Sequence, residues 1–335
     1  MTTETKILLG MPVFHQRPNI SEGFHCPWDH YDMFKQITDK SSADGNLASR
    51  MAEEYTAIAN GILNMGYTFS MLTRPSFNKE VLGTLVKNGI KTVEMPQKMY
   101  FRYTFIRDLW THIPNTGTVI MAPYENKAPF AGLVTFASGG TLLCEGGKNF
   151  ITEKYFFTLK LTDKKSFSNE FFLAKEFLPT AISQKAIILP NPILHSEIGE
   201  DSGWSPEFHI DRAFSVITDK KGEVHIFIDP KIHIGIDVDA SATLVSTEDS
   251  IWAIKEYLAS NGITNVHVPK ELPVPYGLGA MQFHDGKVLL SGGQPEVAAM
   301  YREILGNDQV FETEIPITHY SAIFRSGIRC LINEY

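Results

Sequence analysis

Cysteine is scarce. The chain has 335 residues and three cysteines, Cys26, Cys144 and Cys330, too few and too scattered for a disulfide framework. No Cys-x-x-Cys pair supplies zinc-ligand spacing. The opening MTTETKILLG lacks the long apolar core of a secretory signal. No apolar run reaches the roughly 20 residues that a membrane helix needs. No Gly-x-Gly-x-x-Gly follows the first strand-like segment, and there is no phosphate-binding P-loop, so nothing argues for nucleotide binding. Positive charge is also short: Lys plus Arg total 30 against 38 for Asp plus Glu, a net charge of −8. That balance argues against nonspecific binding to nucleic acid or to an anionic membrane. It suits a pocket for a small cationic substrate. What is present is ordinary for a folded enzyme: 43% hydrophobic and 20% charged residues exclude a disordered chain. The expectation is a reduced, cytoplasmic protein, free to form a homo-oligomer.

Periodicity predicts a mixed α/β chain built from a repeat. Residues 85–96, LVKNGIKTVEMP, and 258–269, LASNGITNVHVP, share one plan: a helix end, an Asn-Gly stop, and a β-branched run ending at proline. Tyr55, Ile58, Ile62 and Met65 fall on one helical face before Gly66. Pro295 suits a first helical turn, Val297, Met300, Tyr301 and Ile304 form a stripe, and Gly306 ends it. With a further helix near 168–178, five helix-then-strand units are expected, near 52–72, 78–96, 168–190, 250–269 and 295–316. Asp219 to Gly222 and Asp285-Gly286 read as hairpin turns. No linker divides the chain, so residues 1–335 are expected to form one domain, with residues 1–45 giving an N-terminal strand and a possible lid loop.

Several polar clusters stand out, each with an ordinary structural explanation beside the chemical one. Read as a strand, FHIDRAFSVI places His209 and Asp211 on one face, a plausible acid/base pair or two solvated side chains. Glu145 precedes Gly146-Gly147, where the backbone can turn sharply or approach a ligand. Arg107-Asp108 interrupts the apolar run YTFIRDLW, and burying either charge is costly without a partner. Cys330 follows Arg329 in a strand-like tail; it is a small hydrophobe or an activated thiol. HCPWDH, with His25, Cys26, Asp29 and His30, has a metal-like composition but no zinc spacing. His233 and Asp237 in KIHIGID are separated by Gly235, which breaks a helical face, and read as loop and strand residues.

The order of these motifs is more informative than any one of them. An Asp in an Arg-Asp run, then Glu-Gly-Gly, then His-x-Asp, then a Cys in the last strand resembles the guanidino-group-modifying, or pentein, superfamily. That family includes arginine deiminases, agmatine deiminases, dimethylarginine hydrolases and amidinotransferases. The resemblance implies a five-bladed α/β propeller of ββαβ units with pseudo-fivefold symmetry, a count that agrees with the five units above. It implies Cys330 as nucleophile, His209 as general acid/base and Glu145 as its partner. It implies Asp108 and Asp211 as the carboxylates that grip the guanidinium, with Arg107 beside them. Arg325, five residues before the cysteine, matches the arginine that contacts a substrate α-carboxylate in arginine deiminases. The chain departs from the usual pattern at Leu109 and at Lys148.

The implied chemistry is hydrolysis at a guanidinium carbon. Paired carboxylates orient the planar cation by charge-assisted hydrogen bonds. The Cys330 thiolate adds to the carbon, His209 protonates the departing amine, and water releases the S-amidino adduct. With arginine as substrate the products are ammonia and citrulline. Amidino transfer, a dihydrolase giving ornithine, and a non-catalytic binding protein on the same fold are the alternatives. No cofactor or metal is required by this mechanism.

Overall fold

The computed structural model describes residues 7–10, 47–73, 91–94, 110–113, 118–121, 135–136, 149–159, 183–190, 192–194, 210–238, 241–274, 276–318 and 327–334. The helices expected near 78–90 and 168–178 and the possible lid at 11–45 lie outside these residues. In chain order the elements are β1 (Ile7–Gly10), α1 (Leu47–Asn64), β2 (Phe69–Thr73), β3 (Lys91–Glu94), β4 (Trp110–Ile113), β5 (Thr118–Met121), β6 (Thr135–Phe136), β7 (Asn149–Ile151), β8 (Tyr155–Leu159) and β9 (Lys185–Leu189). There follow β10 (Pro192–Leu194), β11 (Phe214–Thr218), β12 (Val224–Ile228), β13 (Ile232–Val238), β14 (Ser241–Leu244), α2 (Thr247–Ser260), β15 (Val266–His267), β16 (Met281–Gln282), β17 (Val288–Leu290), α3 (Pro295–Leu305), β18 (Val310–Glu312) and β19 (Ile332–Glu334).

Among the described residues these strands form small, separate sheets, five of which repeat one plan. In each, a central strand pairs antiparallel with one neighbour and parallel with the other: β4-β5-β6, β7-β8-β9, β11-β12-β15, β16-β17-β18, and β19-β1-β2, the last extended by β3. A parallel neighbour requires a crossover, and a helix supplies it in three sheets. Helix α1 lies between β1 and β2, α2 between β12 and β15, and α3 between β17 and β18. The first and last of the described strands meet in one sheet, with Ile7 opposite Glu334 and Leu9 opposite Ile332. A sixth sheet, β10-β13-β14, is wholly antiparallel and departs from the repeat.

Local chemistry accounts for the helix ends. Ser246 caps α2 by accepting the Asp249 N–H at 3.1 Å, and its hydroxyl donates to the Asp249 carboxylate at 2.7 Å. The cap satisfies one of the amides that the first turn leaves open, and the second bond orients the capping hydroxyl. At the other end Gly262, at φ +86°, reverses the chain while its N–H and that of Ile263 return to Ala259 and Leu258. That is the Asn-Gly stop seen in the sequence. Tyr55, Ile58 and Ile62 of α1, with Met65 just past its end, are buried in one cluster with Leu9, Met71 and Leu289. Each such side chain contributes on the order of 1.5–3 kcal/mol through burial. No helix among the described residues is long and apolar enough to cross a membrane.

Two local expectations are corrected. FHIDRAFSVI is not one strand: Ile210–Arg212 is a single 3₁₀ turn, and β11 begins only at Phe214. Cys330 is not in the last strand either; it lies in a 3₁₀ turn, Ile328–Leu331, that leads into β19. A three-residue hydrogen bond closes each turn: the Ala213 N–H donates to the Ile210 carbonyl at 3.3 Å, and the Cys330 N–H to the Gly327 carbonyl at 3.2 Å. Both turns are held by the buried pairing of Asp211 with Arg329, which joins one to the other.

Candidate active site

The two turns meet. Asp211, on the turn before β11, and Cys330, on the turn before β19, are both fully buried. The Cys330 Sγ–H points to Asp211 Oδ2 at 3.4 Å, joining residues 119 positions apart. The same Oδ2 accepts Arg329 Nη1 at 3.0 Å. Arg329 is itself 2% exposed, which an arginine tolerates only when its charge is paired. Its Nη2 donates to the Asn149 carbonyl at 2.6 Å, and its guanidinium carbon stands 3.8 Å from the centre of the Phe150 ring. The ion pair is thus held by a backbone acceptor and an aromatic face as well as by charge. The second carboxylate oxygen, Asp211 Oδ1, is buried and has no hydrogen-bond partner among the described residues.

Several features fix the turn that carries Cys330. The Arg329 N–H donates to the Gly279 carbonyl at 2.9 Å, and the Cys330 N–H to Gly327 at 3.2 Å. Gly279 and Gly327 press backbone to backbone: a Cβ on Gly279 would stand 2.6 Å from Gly327 Cα, and one on Gly327 2.5 Å from Gly279 Cα. Neither position has room for a side chain. The clasping loop begins at Tyr276, whose φ of +54° is strained for an aromatic residue. Arg212 lies against the Tyr276 ring and donates to its hydroxyl at 3.3 Å, tying this loop to the Asp211 turn. Upstream, buried Glu54 on α1 accepts the Thr318 N–H at 2.9 Å, anchoring the chain before the cysteine turn.

On the other side of Asp211, the Asp229 N–H donates to the Ala213 carbonyl at 2.9 Å. Asp229 Oδ1 accepts the Lys231 N–H at 2.7 Å, yet burial still pushes this carboxyl up to about 6. The residue after the Asp211 turn is thus bonded to the backbone of Asp229, whose own carboxyl is half-protonated in mildly acidic solution.

Of the candidate residues, the structure brings Cys330 and Asp211 together. Arg107, Asp108, Glu145, His209 and Arg325 lie outside the described residues, as do His25, Cys26, Asp29 and His30. His233 and Asp237 share β13, where the His233 ring meets the Val245 carbonyl at 2.9 Å and the Thr247 hydroxyl at 3.1 Å. Asn149 and Phe150, which seat Arg329, carried no signal beyond following the Glu-Gly-Gly motif. The sheared Gly279 and Gly327 were equally silent in the sequence.

No family model matches the chain, and no curated protein matches it in sequence. Solved structures do match in fold. An agmatine deiminase from C. jejuni aligns with a TM-score of 0.53 at 12% identity, covering 99% of this chain and 92% of its own. A structure described as a candidate agmatine deiminase aligns with a TM-score of 0.51, also at 12% identity over 99% and 92% of the two chains. The small repeated sheets, and not sequence identity, carry this likeness.

Proposed function

We propose that this chain, which has the fold of the guanidino-group-modifying (pentein) superfamily, is a cysteine hydrolase acting on the guanidinium group of L-arginine or a close relative. The single observation that carries the reading is the buried contact between the Cys330 thiol and the Asp211 carboxylate at 3.4 Å. These are the nucleophile and guanidinium carboxylate of the motif order, and they come from distant parts of the chain. In the same reading the five like sheets are the blades of a ring, closed where β19 pairs with β1.

The reaction proceeds in two halves. Asp211 and Asp108 hold the guanidinium while the Cys330 sulfur forms a bond to its central carbon. The carbon–nitrogen bond to the departing amine breaks, and His209, oriented by Glu145, supplies that amine's proton. Water, giving its proton to His209, then attacks the S-amidino carbon. The carbon–sulfur bond breaks and the thiol is restored. The products are ammonia and citrulline. Because Arg329 and Cys330 already use Asp211 Oδ2, the substrate meets the unpartnered Oδ1 edge.

Arg325, as the anchor for an α-carboxylate, supports an amino-acid substrate. A second reading, agmatine as substrate, is favoured by the agmatine deiminases among the fold neighbours. Incubation with L-arginine and with agmatine, followed by mass spectrometry, separates the two. Citrulline supports the first reading and the carbamoyl product of agmatine the second. Ornithine from arginine would indicate a dihydrolase. No product from either would remove the case for both substrates.

A further inference from the structure

A thiol that must ionise beside a buried carboxylate has an electrostatic problem. Cys330 Sγ is 3.4 Å from Asp211 Oδ2, and both residues are fully buried. A thiolate there would face a like charge with no water to screen it. Asp211 Oδ2 is also the ion-pair partner of Arg329, at 3.0 Å. The arginine's setting is costly and specific: 2% exposed, stacked on Phe150 and bonded to the Asn149 carbonyl. A structural role alone would not need this cation to share the very oxygen that the sulfur contacts.

We propose that Arg329 is a positioning residue for the nucleophile: its guanidinium compensates the Asp211 carboxylate and so allows Cys330 to ionise in neutral solution. Among the described residues the charged groups on the sulfur's side are Asp211, from the turn before β11, and Arg329, from the cysteine's own turn. Arg212, next to Asp211 in sequence, donates to the Tyr276 hydroxyl and lies over its ring. His209, Glu145 and Asp108 stand unchanged in every variant below, so differences between variants isolate Arg329 and Asp211. This inference deepens the reading of Cys330 as nucleophile and rests on it.

The test is the pH dependence of Cys330 alkylation by iodoacetamide in the full chain, read by mass spectrometry of the peptide that contains Cys330. Arg329→Met should raise the midpoint by about one pH unit or more, because it leaves the carboxylate uncompensated. Asp211→Asn should lower the midpoint, since it leaves the cation beside the sulfur without the anion. Combining Arg329→Met with Asp211→Asn should return it to near the wild-type value, and Arg329→Lys should stay near wild type. An unchanged midpoint in Arg329→Met overturns the proposal. So does an equal rise in the Asp211→Asn background, which would mark a packing effect and not charge. Where Arg329→Met fails to fold, the Asp211→Asn midpoint decides, and no downward shift there overturns the proposal. Failure to turn over any guanidino substrate would sink the functional reading while leaving these midpoints as they are.

Discussion

Asp229 offers a quantitative test of how burial acts on a carboxyl beside the start of β11. The side chain is 7% exposed at the corner between β12 and β13. Burial opposes its charge more than the Lys231 amide and ammonium favour it, so its carboxyl is raised from 3.8 to about 6. In the unfolded chain the proton is lost near 3.8; in the folded chain it is held to about 6. Between those values the native state binds more protons than the unfolded state. Stability therefore falls as pH rises through this window. A shift of about two units corresponds to a penalty of about 3 kcal/mol, fully present above the window and absent below it. Asp229→Asn removes the ionisation but keeps an oxygen to accept the Lys231 N–H. Urea unfolding of both proteins, extrapolated to water, measures the difference. At about pH 3.5 the two should be nearly equal, and at about pH 7 the variant should be more stable by up to about 3 kcal/mol. A difference that does not change with pH would refute the burial argument.

Three further outcomes are expected. Gly327→Ala drives a methyl into Gly279 and should cost about 1–3 kcal/mol as overpacking. It should also reduce turnover by displacing the cysteine turn; full activity and stability would mean the close approach is not needed. Cys330→Ser should abolish turnover with an unchanged thermal melt, and retained activity would remove the nucleophile assignment. Arg325→Ala should raise KM for arginine far more than for agmatine. An equal loss on both substrates would take away the argument for an α-carboxylate anchor.

The periodic parts of the fold were legible in the sequence because local chemistry decides them. The stripe Tyr55, Ile58, Ile62 and Met65 is buried as expected, although α1 starts earlier, at Leu47. The Asp219–Gly222 and Asp285-Gly286 turns join β11 to β12 and β16 to β17. The turns that carry the site were not legible. Ile210 and Asp211 differ in polarity yet are both buried, so they match neither strand nor helix spacing. Asp211 looks like a solvated residue until Arg329, 118 positions away, is seen to pair with it. Gly279 and Gly327 matter for their contact with each other, and one-dimensional spacing does not reveal that. The antiparallel β10-β13-β14 sheet likewise arises from pairing across 40 residues, Ile193 opposite His233, and has no local signature.

The central claim is that Cys330 is an activated thiol in a pocket shaped for an amidinium. A haloacetamidine tests it most directly, because the reagent needs both features and is not a substrate whose identity must be guessed. Incubated with the wild-type chain, it should modify one residue, Cys330, and do so far faster than the neutral haloacetamide. Excess arginine or agmatine should protect the thiol. Modification that falls on Cys26 or Cys144, or that shows no preference for the cationic reagent, would contradict the account.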